Sequence, residues 1–402
     1  MPRYSRSIVR TALLVCGVVA AAPLAAQQQS QQSEIQSWQL PGWTFTPSLA
    51  IGPMFDSNVA IAGVDVSGRT ASDTLLEVEP AGLLEFNSAR TSFSTGYRGS
   101  LRRYFELRGL DGVDHRLHAR LRHRLNRRVT LFVDQAFQQV PTTDLLELNG
   151  LPFLRVGSRY HLLSGGVDAR VSKALDFTSN YEFTSVDFHG AETPLSGGTV
   201  NGVHAALKHR FGERFAAGGE YGIRFADLND GARQYTYHNA GAVLQYRSGE
   251  HTTLDISGGL TYFVDRTRDE NRTGPYLKAG VTHRLERATV SANYSRSYTP
   301  SFALGGSHRS HELTGAVEMP LRRNRLYVQE SASWRRTDPF FDDEPALDST
   351  WLRSTLGYSL QRWLRLEGYY MFTRQNTRVA GGRITRQIAG VQVVIAEPVR
   401  IR

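Results

Sequence analysis

The side chains of this chain that could do chemistry are mostly histidines and arginines, and few stand at catalytic spacing. His308-Arg309-Ser310-His311 offers two imidazoles, but no further His or Cys stands nearby to complete a zinc site. Two solvated histidines at a loop-to-strand junction are the expectation there. His115 and His123 have no nucleophile motif beside them, so a Ser-His-acid hydrolase is not supported. Asp56-Ser57-Asn58-Val59 reads as an Asx-type turn, with calcium held alongside Asp65 or Asp73 as the weaker alternative. There is no phosphate loop and no dinucleotide fingerprint. The single cysteine, Cys16, falls in a segment expected to be removed, which leaves no thiol chemistry. The expectation is a protein that is not an enzyme and has no cofactor and no metal.

What is dense is positive charge at a spacing of two. From His115 to Val140, Leu117, Ala119, Leu121, His123 and Leu125 share one parity, and Arg116, His118, Arg120, Arg122 and Arg124 share the other. A helix would scatter these arginines around its axis; a strand puts them all on one side. Asn126-Arg127-Arg128 is a tight turn, after which Val129, Leu131, Val133 and Phe137 resume the apolar face. This is a β-hairpin with one apolar face and one cationic face.

Such hairpins must run through most of the chain. Residues 1–26 read as a signal peptide: Arg3, Arg6 and Arg10 precede a short apolar run, and Leu24-Ala25-Ala26 offers small residues for cleavage. Its removal takes the formal charge from +9 to +6, because those three arginines leave with no acid. Residues 27–42 are Gln/Ser-rich and read as a flexible periplasmic leader. Residues 43–402 hold about 18 candidate strands of about 12 residues, the length of a tilted β-strand bilayer crossing. Every second connection is very short, as at Asn87 to Arg90, Asn126 to Arg128 and Ser172 to Ala174. The others are longer and richer in Asp, Gly, Pro and Asn, such as Pro141 to Gly157, Phe188 to Gly198 and Asp265 to Gly274. That alternation predicts an all-β fold: an antiparallel transmembrane β-barrel with short periplasmic turns and longer extracellular loops, in the bacterial outer membrane.

Parity then assigns the faces. Outward go rows such as Phe93, Tyr97 and Leu101, or Leu352, Leu356 and Tyr358. Toward the lumen go Arg98, Arg102, Arg116, Arg120, Arg122, Arg124, Lys208, Arg210, Lys278, Arg284 and Arg353, a basic lining expected to form an anion path. The acids Asp134, Asp168, Glu182, Glu220, Glu312 and Glu318 share that lining, so an ion-pair lattice that stiffens the wall stays open as the other reading. His123, His209, Tyr246 and His283 recur just before short turns and are expected in the outward interfacial girdle. Glu330 and Arg296 fall on the outward face against the pattern, and the last strand, Arg383 to Ile395, alternates weakly. The 141–157 loop is unusually apolar, with Leu145, Leu146, Leu148, Leu151, Phe153 and Leu154; it either folds inward as a constriction or forms an external lid or protein contact.

Pro47-Ser48-Leu49-Ala50-Ile51-Gly52-Pro53-Met54-Phe55-Asp56-Ser57-Asn58-Val59 resembles the opening of the β-barrel porin family of the second type, some of whose members attach to exopolysaccharide export. The resemblance implies an outer-membrane barrel and, for some members, polysaccharide secretion; it brings no catalytic residues. The functional expectation is therefore a channel for hydrophilic, anionic solutes or polymer, with surface polysaccharide export as its sharper version. The alternative is a non-conducting barrel that anchors or scaffolds an envelope complex. Expected partners are outer-membrane lipid and lipopolysaccharide, the barrel assembly machinery and a periplasmic polysaccharide-export protein. Export makes nucleic acid no partner despite the basic charge.

Overall fold

The structure is a computed structural model that describes residues 42–61, 71–146, 151–189, 195–321, 325–340, 346–377 and 382–401. The expected signal peptide, the leader up to residue 41, Asp65 and Leu148 lie outside the described residues.

Eighteen long strands make the wall. They are β1 (Gly42–Asp56), β2 (Asp73–Asn87), β3 (Thr91–Tyr104), β4 (Gly112–Arg124), β5 (Val129–Val140) and β6 (Gly157–Arg170). Then follow β7 (Leu175–His189), β8 (Gly198–Arg210), β9 (Phe215–Leu228), β10 (Arg233–Ser248), β11 (Thr252–Asp265) and β12 (Glu270–Arg284). The last six are β13 (Thr289–Ser301), β14 (Gly306–Leu321), β15 (Leu326–Pro339), β16 (Leu347–Ser359), β17 (Leu364–Thr377) and β18 (Arg383–Ala396). Each strand pairs antiparallel with its sequence neighbours, and β1 pairs with both β2 and β18, which closes the cylinder. A three-residue strand β19 (Val399–Ile401) continues the seam beyond Pro398 and pairs with Trp43–Phe45. Closure gives every long strand two neighbours, the condition for a sheet to cross a bilayer, although the described β12–β13 pairing runs only from Arg284 and Thr289 up to Leu277 and Arg296.

Strands run longer than expected, from 12 to 16 residues. The expected loop Asp265 to Gly274 is mostly strand: Glu270 to Gly274 pair with Asp265 back to Thr261. The short turns are held by their own polar side chains. Asn126 Oδ1 accepts from the Arg128 and Val129 amides at 2.8 and 3.0 Å, and Ser172 Oγ accepts from the Ala174 and Leu175 amides. These are the turn residues whose side chains replace a backbone acceptor.

Directly paired residues share a face, so the register fixes every strand from one assignment. Leu117, Leu131, Val133, Val203, Tyr221, Leu260, Leu313, Leu356 and Val393 all lie exposed on the outer surface. In water a belt of this size would aggregate; facing lipid it is the stable arrangement. Such a closed cylinder with an apolar outer belt is an outer-membrane β-barrel.

Two rings of polar side chains bound that belt. The lower ring holds the four girdle residues His123, His209, Tyr246 and His283, all facing outward; His123 and His283 take hydrogen bonds with Thr91 and Thr252 at 2.8 and 2.7 Å. The upper ring was not foreseen. Tyr97, Tyr221 and Tyr294 place their hydroxyls 2.8, 2.8 and 2.9 Å from Nδ1 of His115, His238 and His311 on the next strand. Tyr181 donates to Asn201 and Tyr370 to Gln387 in the same way. Tyr97, Tyr181, Tyr221 and Tyr370 are each the seventh residue of their strand. That recurrence was the readable signal. Each tyrosine buries its ring against lipid and keeps its hydroxyl partnered. Tyr221→Phe should cost about 1 kcal/mol, the net worth of one hydrogen bond, read as a lower urea midpoint in lipid vesicles.

Candidate functional site

The upper lumen is occupied by two segments of the chain's own loops. After Val140 the chain turns inward. The Thr143 amide donates to the Leu154 carbonyl at 2.9 Å, and the Leu154 amide to Thr143 Oγ1 at 2.7 Å, which pinches the loop into two arms. Leu146 and Leu151 are buried with Tyr160, Leu162, Val186 and Val200 from the wall. Phe153 reaches the opposite wall and stands edge-on to Trp351, with ring centroids 5.4 Å apart. Of the two expectations for this apolar loop, the inward constriction is the observed one.

The second segment is the tip of the β13–β14 hairpin, which sequence reasoning missed. Phe302 and Ala303 are buried against Tyr235, Tyr237 and Phe263 on the lumen face of β10 and β11. Ala303 bridges to Ser196, and Tyr235 and Tyr237 donate to the Gly305 carbonyl and Ser307 hydroxyl, each at 3.0 Å. Ala303 and Gly305 have φ of 69° and 80°, the left-handed turn that lets the tip fold back. Aromatic residues at lumen parity near strand ends were its trace in the sequence.

Buried polar groups fasten the first loop to the barrel seam. Arg386 on β18 donates to both oxygens of Asp56 on β1, the shortest contact 2.7 Å, and to both oxygens of Asp144 in the loop at 3.1 and 2.8 Å. The Arg386 side chain is 4% exposed and both carboxylates 1%. Two carboxylates on one fork satisfy the guanidinium bidentately, the condition for burying such charge. Gln375 adds an amide clamp: its Oε1 accepts from the Phe153 amide at 2.7 Å and its Nε2 donates to the Leu151 carbonyl at 3.0 Å. The weak alternation of β18 follows from this packing. Ile384 and Ile388 face inward but lie in apolar clusters beside Phe153 and beside Met54 and Val59.

Asp56 therefore serves the seam. Its Asx turn forms as expected, with the Asn58 amide donating to Asp56 Oδ1 at 3.0 Å. Its carboxylate is committed to Arg386 instead of a calcium ion. Among the described residues no group of three or more His, Cys, Asp or Glu is placed to hold a metal. The paired solvated histidines are corrected too: His308 is fully buried on the lumen side and His311 faces outward, because three residues along a strand reverse the face.

The basic residues lie where parity put them, on the lumen face, but the structure groups them unevenly. Arg98 and Arg116 stand directly opposite one another on β3 and β4. Arg102 is held between Glu77 and Asp114, each at 2.9 Å. Arg120 pairs with Asp134 at 2.5 Å, Arg122 with Asp168 at 3.6 Å, and Arg210 with Asp176. Lys208 is opposite Asp176, and Lys278 interacts with Glu182 and Glu220. The Arg353 guanidinium lies against the Met371 sulfur at 3.9 Å. Arg124 and Arg284 are exposed at the turn ends of their strands. Much of the array is thus an ion-pair lattice; alternation puts Asp176 on the polar face, whereas Glu77 and Asp114 are acids that sequence reasoning missed. Arg98 and Arg116 are in no ion pair among the described residues, with Glu79 near both and Glu77 and Asp114 near Arg116.

Lumen tyrosines stiffen this lining. Tyr327 and Tyr369 lie across Gly357 and Gly390, where a Cβ would meet the ring at 2.1 and 2.6 Å. Each reaches a carboxylate beyond, Glu367 and Glu77 respectively. Glycine is needed there so that one strand's ring can lie on the next strand's backbone.

The class these features define is a closed outer-membrane β-barrel whose upper bore is narrowed by its own loops. No family model and no curated protein matches the chain. Among solved structures it is similar to OccAB4 of Acinetobacter baumannii, with 11% identity and a TM-score of 0.46, covering 90% of this chain and 99% of that one. It is also similar to OpdK of Pseudomonas aeruginosa, solved with vanillate, at 11% identity and TM-score 0.45, covering 89% and 99%. Pseudomonas aeruginosa OpdQ follows at 9% identity and TM-score 0.42, covering 90% and 98%. The strand count and closure stand on this chain's own strand pairing.

Proposed function

We propose that this barrel conducts small hydrophilic solutes across the outer membrane, with anions preferred. The observation that carries the reading is the directly opposed Arg98 and Arg116 on the lumen wall. Like charges placed across a strand pair repel, and the arrangement is relieved whenever an anion sits between them. Below them Arg120 and Arg122 are paired with Asp134 and Asp168, and Arg124 is exposed at the turn end of the same strand.

Narrowing of the bore by two inward segments supports small solutes over a polysaccharide chain. The stretch that resembles polysaccharide-export barrels also has a structural role here. Asp56 holds Arg386, Asn58 Nδ2 donates to the Thr385 carbonyl at 3.0 Å, and Val59 is buried beside Leu75. A polymer-export role with a periplasmic partner is the sharper and less supported version.

The test is ion selectivity in planar bilayers under a salt gradient. The wild type should give a reversal potential of the anionic sign. Arg98→Gln with Arg116→Gln should lower the anion-to-cation permeability ratio by a factor of about five, the weight of about 1 kcal/mol for charges 4 Å apart in water. A cation-selective wild type would refute the preference. Zero conductance would favour the second reading, a scaffold barrel, which the packed clusters of the upper lumen support.

A further inference from the structure

Arg296, which broke the outward pattern, belongs to a row. On the outer surface it stands directly opposite His311 on β14, and His311 stands directly opposite Arg336 on β15. Arg309 lies one pleat above, opposite Asp338. Asp338 is shared: it accepts from Arg309 Nη2 at 3.4 Å and from Arg336 Nε at 3.0 Å. Asp348 stands opposite Arg336. Among the described residues Arg296 has no carboxylate partner, and the Nε atoms of Arg296 and Arg309 are buried without a hydrogen-bond partner. Tyr294 fixes the His311 ring from below through Nδ1.

The row directly beneath is apolar. Tyr294, Leu313 and Trp334 are paired across the same three strands, and Leu313 and Trp334 are 50% and 38% exposed to the surroundings. Leu277, opposite Arg296 on β12, is exposed as well. A cationic row at the upper ring, above an exposed aromatic and aliphatic shelf, is complementary to an amphiphile with an anionic head and acyl chains. Guanidinium groups aligned across strands suit phosphate, which they grip bidentately. Arg309 and Arg336 share the single carboxylate of Asp338, which leaves Arg296 as the cation of this group that an anion from outside would compensate.

We propose that the outer face of β13–β15 is a binding site for a phosphorylated glycolipid of the outer leaflet, of lipid A type. Arg296 and Arg336 hold its phosphate, and its acyl chains lie on Leu313, Trp334 and Leu277. The assignment rests on the outer-membrane placement but not on conduction.

The experiment uses the full chain in detergent, with bisphosphorylated lipid A as the probe and native mass spectrometry as the readout. The wild type should retain lipid A. Arg296→Gln with Arg336→Gln should bind it at least about tenfold more weakly, two charge-assisted contacts being lost. Arg296→Lys with Arg336→Lys keeps the charge and loses the fork, so its affinity should fall between the two. That variant also serves if the glutamine pair fails to fold. Fully dephosphorylated lipid A should bind as weakly as the glutamine variant. Equal retention by wild type and variants, or equal binding of the dephosphorylated lipid, would overturn the site. Displacement of lipid A by millimolar inorganic phosphate would reassign it to free phosphate. Conductance of the variants should match wild type, so loss of this site and failure of the channel reading are separable.

Discussion

Arg386→Ala should widen the bore and weaken the barrel together. The substitution strands Asp56 and Asp144 as two carboxylates buried to 1% exposure without their cation. Removing one partner of a buried ion pair costs about 3–5 kcal/mol, because the remaining charge is left uncompensated. The cheapest relief is for Asp144 to leave, and it carries the 141–156 loop with it. Single-channel conductance should therefore rise, the admitted solute size should increase, and the urea midpoint should drop. Asp144→Asn is the informative companion. It keeps the Asp56 to Arg386 pair that ties β1 to β18, so it should open the bore at a smaller stability cost. If Arg386→Ala left both conductance and the urea midpoint unchanged, the fastening role assigned to this cluster would be wrong.

Val133→Arg should be the most damaging single change on the outer wall. Val133 is 40% exposed on the lipid-facing side, midway between the two polar rings. An arginine near the bilayer midplane on the lipid face of such a barrel costs about 2–4 kcal/mol. Asn180→Arg is the matched control, because Asn180 points into the lumen, where an arginine is hydrated. Folding titrations in vesicles should show a large loss for the first and little for the second. Comparable losses at both positions would mean that the inside and outside of the wall have been exchanged.

Most of the wall was legible because a closed two-sided sheet writes its faces into parity. The β4–β5 hairpin shows this: Leu117, Leu121, Leu131 and Val133 face lipid, and Arg116, Arg120 and Arg122 face the bore. The short turns were legible because Asn126 and Ser172 supply the acceptors that tight reversals need. Parity fails where the lumen stops being wet. Ile384, Ile388, Tyr235, Tyr237 and Phe263 sit on the inward face yet are packed under the folded-in segments, so apolar residues occur on both faces of those strands. Parity says nothing about partners far apart in sequence. Asp56 and Arg386 are 330 residues apart and Asp144 and Arg386 are 242, and only the closure of the cylinder brings them together. The opposed pair Arg98 and Arg116 was legible, as was the inward face of Asp176; which carboxylates neutralise Arg102 and Arg210 became visible only with the register.

The two polar rings set how tall a hydrocarbon slab the protein can occupy. On β4, His115 and His123 mark the upper and lower levels. Eight residues at about 3.3 Å each, inclined by about 40° to the barrel axis, span roughly 20 Å. An ordinary phospholipid core is about 30 Å thick. The protein is thus dimensioned for a thin membrane and would sort to one. In thick synthetic bilayers the surrounding lipids would have to compress, and barrels would gather to share that deformation; short-chain lipids should keep them dispersed.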